Sequence, residues 1–116
     1  MRDDRERLLD ILEAIARIEK YGARGRGAFE EEELVQIWIV HYLQVIGEAA
    51  AKISKEFKSL HPGVAWAQLA TMRNLLVHEY FDIDLEEVWS AVENDLADLK
   101  TKIQAILPGS HGDSSG

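Results

Sequence analysis

One apolar segment, Leu34–Ile53, limits most strongly what this chain can fold into. At about 100° per residue, its polar residues share one narrow stripe, and apolar side chains cover the rest of the helix. This polar stripe consists of His41, Gln44, Glu48 and Lys52. Such a helix must be central in a small bundle or pass part of its apolar surface to a second copy of the chain, and we favour a homodimer. Polar residues interrupt the segment too often for a membrane span of about 20 apolar residues.

Apolar spacing also predicts three further helices, because apolar residues recur three and four positions apart. The acids Glu30–Glu33 mark the start of the central helix, where the macrodipole favours negative charge. His61–Gly63 breaks the chain before the third helix, and Asp82 can cap the fourth. The predicted ranges are 4–21, 30–53, 64–81 and 85–107. Since no segment alternates with the period of a strand, we predict an all-α four-helix bundle.

The composition fits one domain without disulfide bonds. The 116 residues suffice for a single domain, which we place at residues 1–108, and the Gly- and Ser-rich residues 109–116 should form a disordered tail. The lack of Cys excludes a thiolate metal site and a Cys nucleophile. A net charge of -8 argues against sequence-blind DNA binding. The N-terminus has no apolar signal core, so we expect a cytoplasmic protein.

The residues suited to chemistry are concentrated in Met72–Phe81, where Arg73, Asn74, His78 and Tyr80 lie among apolar neighbours. Arginine offers a permanent charge and a planar fork that can hold two phosphate oxygens, and histidine exchanges a proton near neutral pH. Together they suit RNA cleavage without a metal. A base takes the proton of the ribose 2′-hydroxyl, that oxygen attacks phosphorus, and an acid protonates the departing 5′-oxygen.

The spacing of this pair restricts its geometry. On an ideal helix Arg73 and His78 lie about 140° away from a common face, whereas Arg73 and Tyr80 align to within about 20°. Either the helix ends near His78 and turns, or the site is assembled across a dimer. The Asp82 cap favours the first arrangement.

The segment from Arg73 to Tyr80 resembles the R-x4-6-H-x-Y signature of the HEPN superfamily. Its surroundings are similar to the HepT toxin branch, and Thr71 departs from the pattern at a position where many relatives have Gly. The similar segments are Ile46–Ala50 and Lys52–Ser54 upstream, and Tyr80–Asp84 and Val88–Trp89 downstream. The resemblance covers nearly the whole ordered chain.

This resemblance implies a metal-independent endoribonuclease toxin. Arg73 and His78 match the catalytic pair of HEPN ribonucleases, and Asn74 matches the polar residue that follows the Arg. The family forms homodimers whose motifs face one cleft, and no metal or other cofactor is expected. A neighbouring nucleotidyltransferase antitoxin, of the MNT type, neutralises the toxin and can attach AMP to the tyrosine that matches Tyr80. The alternative is a non-catalytic HEPN dimer that binds nucleotide or RNA and this partner.

Several residues have more than one interpretation. The second proton-transfer group is His78 of the other protomer or water, since one histidine cannot easily serve as acid and base in one step. Glu48 either neutralises a basic group across the dimer or belongs only to the polar stripe.

The basic residues Lys20, Arg24 and Arg26 form a mobile loop that guides RNA or is merely solvated. His41 on the polar stripe could face the cleft, but a solvated or hydrogen-bonded histidine is the preferred interpretation, so His41 is left outside the site. Trp38, Trp66 and Trp89 are interpreted as core or dimer residues.

Overall fold

Seven α-helices and one π-helical segment make up the part of the chain that the computed structural model describes, residues 3–78 and 85–107, with backbone only for 74–78. No strand occurs among these residues, which confirms the all-α fold class. The helices are α1 Asp4–Gly22, α2 Gly25–Glu31, α3 Glu33–Lys52, α4 Lys55–Leu60, α5 Trp66–His78, α6 Leu85–Ser90 and α7 Leu96–Ile106. The π-helical segment Ala91–Asp95 joins α6 to α7.

Helix α3 is the central helix, as its sequence predicts, because it packs against α1 on one side and α5 on the other. Its length and composition would also suit a membrane-spanning helix. Its buried side chains, however, contact other helices of the same chain, as expected of a core helix. The α3 residues in the core include Ile39, Leu43, Ile46 and Ala50, and those of α1 include Leu8, Ile11, Ile15 and Ile18. Helices α1, α3 and α5, which line the candidate site, therefore make the most extensive helix contacts among the described residues.

A polar clamp fixes the start of α1 against the end of α3. The Asp4 carboxylate accepts hydrogen bonds from the backbone nitrogen of Ser54 at 2.9 Å and from its hydroxyl at 2.6 Å. Ser54 is also the N-cap of α4, where its hydroxyl oxygen accepts from the backbone nitrogen of Phe57. Asp3 caps α1 through a capping box with Glu6. The first turn of α1 is thus tied to the segment that links α3 to α4.

The structure corrects the prediction of a mobile basic loop. Residues Gly25–Glu31 form helix α2, and Lys20 lies in the last turn of α1. Arg24 donates to Glu32 at 2.9 Å, while Arg26 donates to Glu30 at 2.8 Å and to Glu86 at 2.7 Å. Glu30 and Glu86 also raise the pKa of the Arg26 guanidinium. The two arginines are engaged by carboxylates rather than presented as a free cationic surface.

The prediction of four helices is correct for the long elements and incomplete for the short ones. Helices α2 and α4 are too short for apolar spacing to reveal, and Glu30 and Glu31 belong to α2 instead of the start of α3. Helix α5 begins at Trp66 rather than near Val64. The predicted last helix is observed as α6, the π-helical segment and α7. The predicted end of the third helix near Phe81, the Asp82 cap and the tail at 109–116 lie outside the described residues.

Candidate active site

A groove of about 420 Å³ lies where α1, α3 and α5 meet. Helix α3 supplies most of its lining, and its polar stripe faces the groove through His41, Gln44 and Glu48. The remaining lining residues are Arg7 and Asp10 from α1, Val45 and Ala49 from α3, and Arg73 from α5. Residues from three helices that are distant in the sequence therefore converge on one groove.

Arg73 is held in this groove by Glu48. Its Nη1 donates to Glu48 Oε1 at 3.1 Å, and the other oxygen of Glu48 lies 3.0 Å from Lys52 Nζ. The hydrogen bonds from Lys52 and Arg73 lower the pKa of Glu48, so this carboxyl group is ionised at neutral pH. The bond to Glu48 uses one of the five N–H donors of a guanidinium group. The structure adds a third interpretation of Glu48: its basic partners, Lys52 and Arg73, belong to the same chain.

Gly47 explains how Arg73 comes so close to α3. A Cβ atom at Gly47 would lie 2.6 Å from the Arg73 backbone nitrogen and 3.1 Å from the Leu69 carbonyl oxygen. Contacts to backbone atoms this short cannot be relieved by a side-chain rotation, so only glycine permits this approach of α5. The close approach brings Arg73 beside Glu48, the residue that follows Gly47.

The predicted site residues are described to different extents. Arg73 lines the groove, whereas Asn74 and His78 are described only as backbone positions of α5, and Tyr80 lies outside the described residues. Because α5 continues through His78, the backbone positions 73 and 78 lie about 140° apart around its axis. Helix α5 alone therefore does not bring the two positions to one face. The choice between a turn after His78 and a site shared across a dimer stays a prediction.

Several groove residues lie outside the predicted site, among them His41 and Arg7. His41, set aside as a solvated histidine, lines the groove together with Arg73, and its ring packs against those of Trp38 and Tyr42 at 5.9 and 4.9 Å. Its position on the polar stripe with Glu48 was the signal that could have found it. Arg7 also lines the groove, but it lies in a run of charged residues that gives no such signal.

A second cavity, of about 560 Å³, lies between α5 on one side and α6, the π-helical segment and α7 on the other. Its charged lining residues are Glu87, Asp95, Asp98 and Lys102, and Lys102 pairs with Asp98 at 3.0 Å. Its acidic lining disfavours a phosphate ligand, in contrast to the groove around Arg73. Among residues 3–73 and 85–107, whose side chains are described, no cluster of three or more His, Asp or Glu suits a metal ion.

Comparison with known proteins identifies the class of protein. The family model described as "Ribonuclease HepT-like" matches residues 11–106, and the chain belongs to this family, which confirms the resemblance noted in the sequence. "Probable ribonuclease HepT" of Thermococcus cleftensis is 35% identical over 108 residues, covering 90% of this chain and 96% of that protein. "Putative RNase MJ1216" of Methanocaldococcus jannaschii is 30% identical over 112 residues, covering 96% and 93%. No solved structure matches the chain.

Proposed function

We propose that this protein is a metal-independent endoribonuclease whose active site is the groove around Arg73. The observation that carries the proposal is the position of Arg73: in a HepT-like chain, the arginine of the motif lines a groove and is oriented there by Glu48. The names of the relatives, which refer to ribonucleases, support RNA as the substrate. An arginine fixed in a groove can hold a phosphodiester through paired N–H···O bonds.

In the proposed reaction Arg73 holds the scissile phosphate and stabilises the charge that develops on it. A base removes the proton of the ribose 2′-hydroxyl, the 2′-oxygen attacks phosphorus, and the bond to the 5′-oxygen breaks as an acid protonates that oxygen. The products are a 2′,3′-cyclic phosphate and a 5′-hydroxyl end. His78 is one of the two proton-transfer groups, and Asn74 orients the phosphate or Arg73. The second group is His78 of another protomer, water, or His41, which lines the same groove.

The active form is a homodimer built on the exposed face of α3. Leu34, Ile37 and Trp38 are 70%, 47% and 43% exposed in the single chain, although all three belong to the most apolar helix. They continue towards His41 at helical spacing, so the apolar surface borders the groove. A second copy on this face would cover the apolar side chains and bring two grooves next to each other.

The protein acts in the cytoplasm as a toxin that an MNT-type nucleotidyltransferase neutralises by attaching AMP to Tyr80. The family and the position of Tyr80 in the motif segment support this proposal. The adenylyl group would bring a negatively charged phosphate close to the site that binds RNA. It would compete for Arg73 and repel the RNA backbone, so modification inhibits cleavage.

Cleavage of a labelled RNA in excess EDTA tests the proposal, using the wild type, Arg73→Ala and the control Arg17→Ala. Arg17 is an exposed arginine of α1 that pairs with Glu13 and does not line the groove. We expect EDTA-resistant cleavage with cyclic phosphate ends, a loss of at least about 100-fold in Arg73→Ala, and wild-type activity in Arg17→Ala. Cleavage abolished by EDTA would contradict the metal-free reaction. Equal cleavage by Arg73→Ala, or none by the wild type, would contradict the nuclease.

A further inference from the structure

We infer that Arg7 forms a second phosphate subsite, which binds a backbone phosphate of RNA next to the phosphate held by Arg73. The inference rests on the proposed function, because it concerns the same groove and the same substrate. It assigns a binding role to a residue outside the motif and outside residues 11–106, the part of the chain that the family model matches.

Arg7 lies in the same groove as Arg73 but on a different helix. Arg7 belongs to α1 and Arg73 to α5, and α3 packs between these two helices. Both arginines line the groove of about 420 Å³. A strand of RNA that places one phosphate on Arg73 can therefore reach a cation contributed by a different helix without leaving the groove.

The Arg7 guanidinium group has a donor without a hydrogen-bond partner among the described residues. This donor is Nε, which is buried. Buried donors are nearly always satisfied, so the unpaired Nε shows that no acceptor among the described residues holds this guanidinium group. Since Arg7 lines the groove, a phosphate bound there can accept parallel N–H···O bonds from this guanidinium group. Arg73 is different, since Glu48 already engages part of its guanidinium.

The surroundings of Arg7 keep it in place. The Asp4 clamp to Ser54 lies one turn before it, and the next residue, Leu8, is fully buried in the core. The backbone that carries Arg7 is therefore rigid, so binding a ligand has to order only the side chain.

Neither the charge of the groove nor the net charge of the chain favours the binding of RNA. Asp10 and Glu48 also line the groove, and the whole chain carries a net charge of -8. A diffuse attraction for RNA is therefore weak, and the affinity must come from directed hydrogen bonds of the two arginines. The loss of one arginine should therefore remove one phosphate contact, which the salt dependence of binding can count, and not a general attraction.

The test measures binding of a fluorescent single-stranded RNA with 2′-O-methyl riboses, which cannot be cleaved by 2′-oxygen attack, over a series of salt concentrations. The proteins are the full-length wild type, Arg7→Gln and the control Arg17→Gln. For Arg7→Gln we expect about tenfold weaker binding and a slope of log K against log salt smaller by about 0.7, the value for one phosphate contact on a single strand. Arg17→Gln should keep the wild-type slope and affinity.

Cleavage kinetics on unmodified RNA provide the second readout. Arg7→Gln should raise KM about tenfold with little change in kcat, because the lost contact is made equally in the ground and transition states. A wild-type slope and KM in Arg7→Gln would overturn the inference while Arg73-dependent cleavage kept the proposed function. A wild type that neither binds nor cleaves RNA would overturn both.

A second variant covers the case in which thermal unfolding shows Arg7→Gln to be unstable. Arg7→Lys keeps the charge but loses the Nε donor and the planar fork. We expect it to retain the wild-type salt slope and to bind RNA several-fold more weakly than the wild type. Wild-type affinity in Arg7→Lys would contradict a subsite that depends on the guanidinium group.

Discussion

The backbones of Gly47 and Arg73 approach so closely that a Cβ atom on Gly47 would lie 2.6 Å from the Arg73 nitrogen. This contact sets the distance between α3 and α5 at the level of the groove. It also places the Arg73 guanidinium within hydrogen-bond distance of Glu48, the neighbour of Gly47. The position of the candidate catalytic arginine thus depends on the absence of one side chain in the facing helix.

Gly47→Ala should force α5 away from α3. We expect a loss of about 1 to 3 kcal/mol in the free energy of unfolding, as for other overpacked cores, together with lower RNA cleavage. Chemical denaturation and a cleavage assay measure the two effects. Gly27→Ala is the matched control, because nothing lies within 4 Å of a Cβ at Gly27. Equal stability of Gly47→Ala and the wild type would contradict the close approach.

Glu48→Gln should reveal how the Glu48 carboxylate contributes to stability at different pH values. The folded-state pKa of Glu48 is lowered by Lys52 and Arg73, so its contribution is present above the ordinary pKa of 4.5 and is lost as the pH falls through the lowered folded-state value. Because the side chain is 43% exposed, we expect less than about 1 kcal/mol at neutral pH.

Denaturant unfolding of wild type and Glu48→Gln, at neutral pH and well below pH 4.5, measures this contribution. The difference between the two proteins should shrink at the acidic pH, where the wild-type carboxyl group is also protonated. A difference that grew on acidification would have the wrong sign for a lowered pKa.

His41→Gln tests which group completes the proton transfer. If His41 is that group, kcat should fall by about 100-fold, with a smaller change in KM. His61→Gln is the control, because His61 packs against Phe57 and does not line the groove. An unchanged kcat in His41→Gln would leave His78 of the other protomer or water as the second group.

Leu34→Glu tests the proposed dimer face. Burying leucine contributes about 1.5 to 3 kcal/mol, so a charge at this position should raise the dimer Kd by at least about tenfold. Leu60→Glu is a matched control, since Leu60 on α4 is 74% exposed, close to the 70% of Leu34. Sedimentation equilibrium over a range of concentrations gives the dimer Kd of the wild type and of each variant. A wild type that stays monomeric throughout would contradict the dimer.

Tyr80→Phe tests the proposed modification. Incubation of the wild type with its nucleotidyltransferase partner and ATP should transfer an adenylyl group to Tyr80 and release pyrophosphate. The protein should gain the mass of AMP less one water and lose RNA cleavage, and Tyr80→Phe should show neither change. Intact-mass spectrometry and the cleavage assay provide the readouts. The same mass increase in Tyr80→Phe would assign the modification to another residue.

The sequence alone determined the long helices and the family. Apolar residues three and four positions apart report which face of a helix is buried, so helices over 4–21, 30–53, 64–81 and 85–107 could be predicted from local spacing, although α3 begins at Glu33 and the last range is divided into α6, the π-helical segment and α7. The apolar circumference of α3 predicted either a central helix or a face for a second copy; the structure shows α3 packed between α1 and α5, and the dimer stays a prediction. The motif around Arg73 and its flanking segments predicted the HepT-like family, which the comparisons confirm.

The tertiary structure decided what surrounds Arg73. The pairs of Arg73 with Glu48 and of Arg26 with Glu86, and the shared groove of Arg73 with Arg7 and His41, join residues distant in the chain. Helical periodicity shows which face of a helix is buried, but not which residue of another helix lies opposite it. Which residues face each other depends on the distance between two packed helices and on how each helix is rotated about its axis. Here both are set by contacts such as that of Gly47 with the α5 backbone.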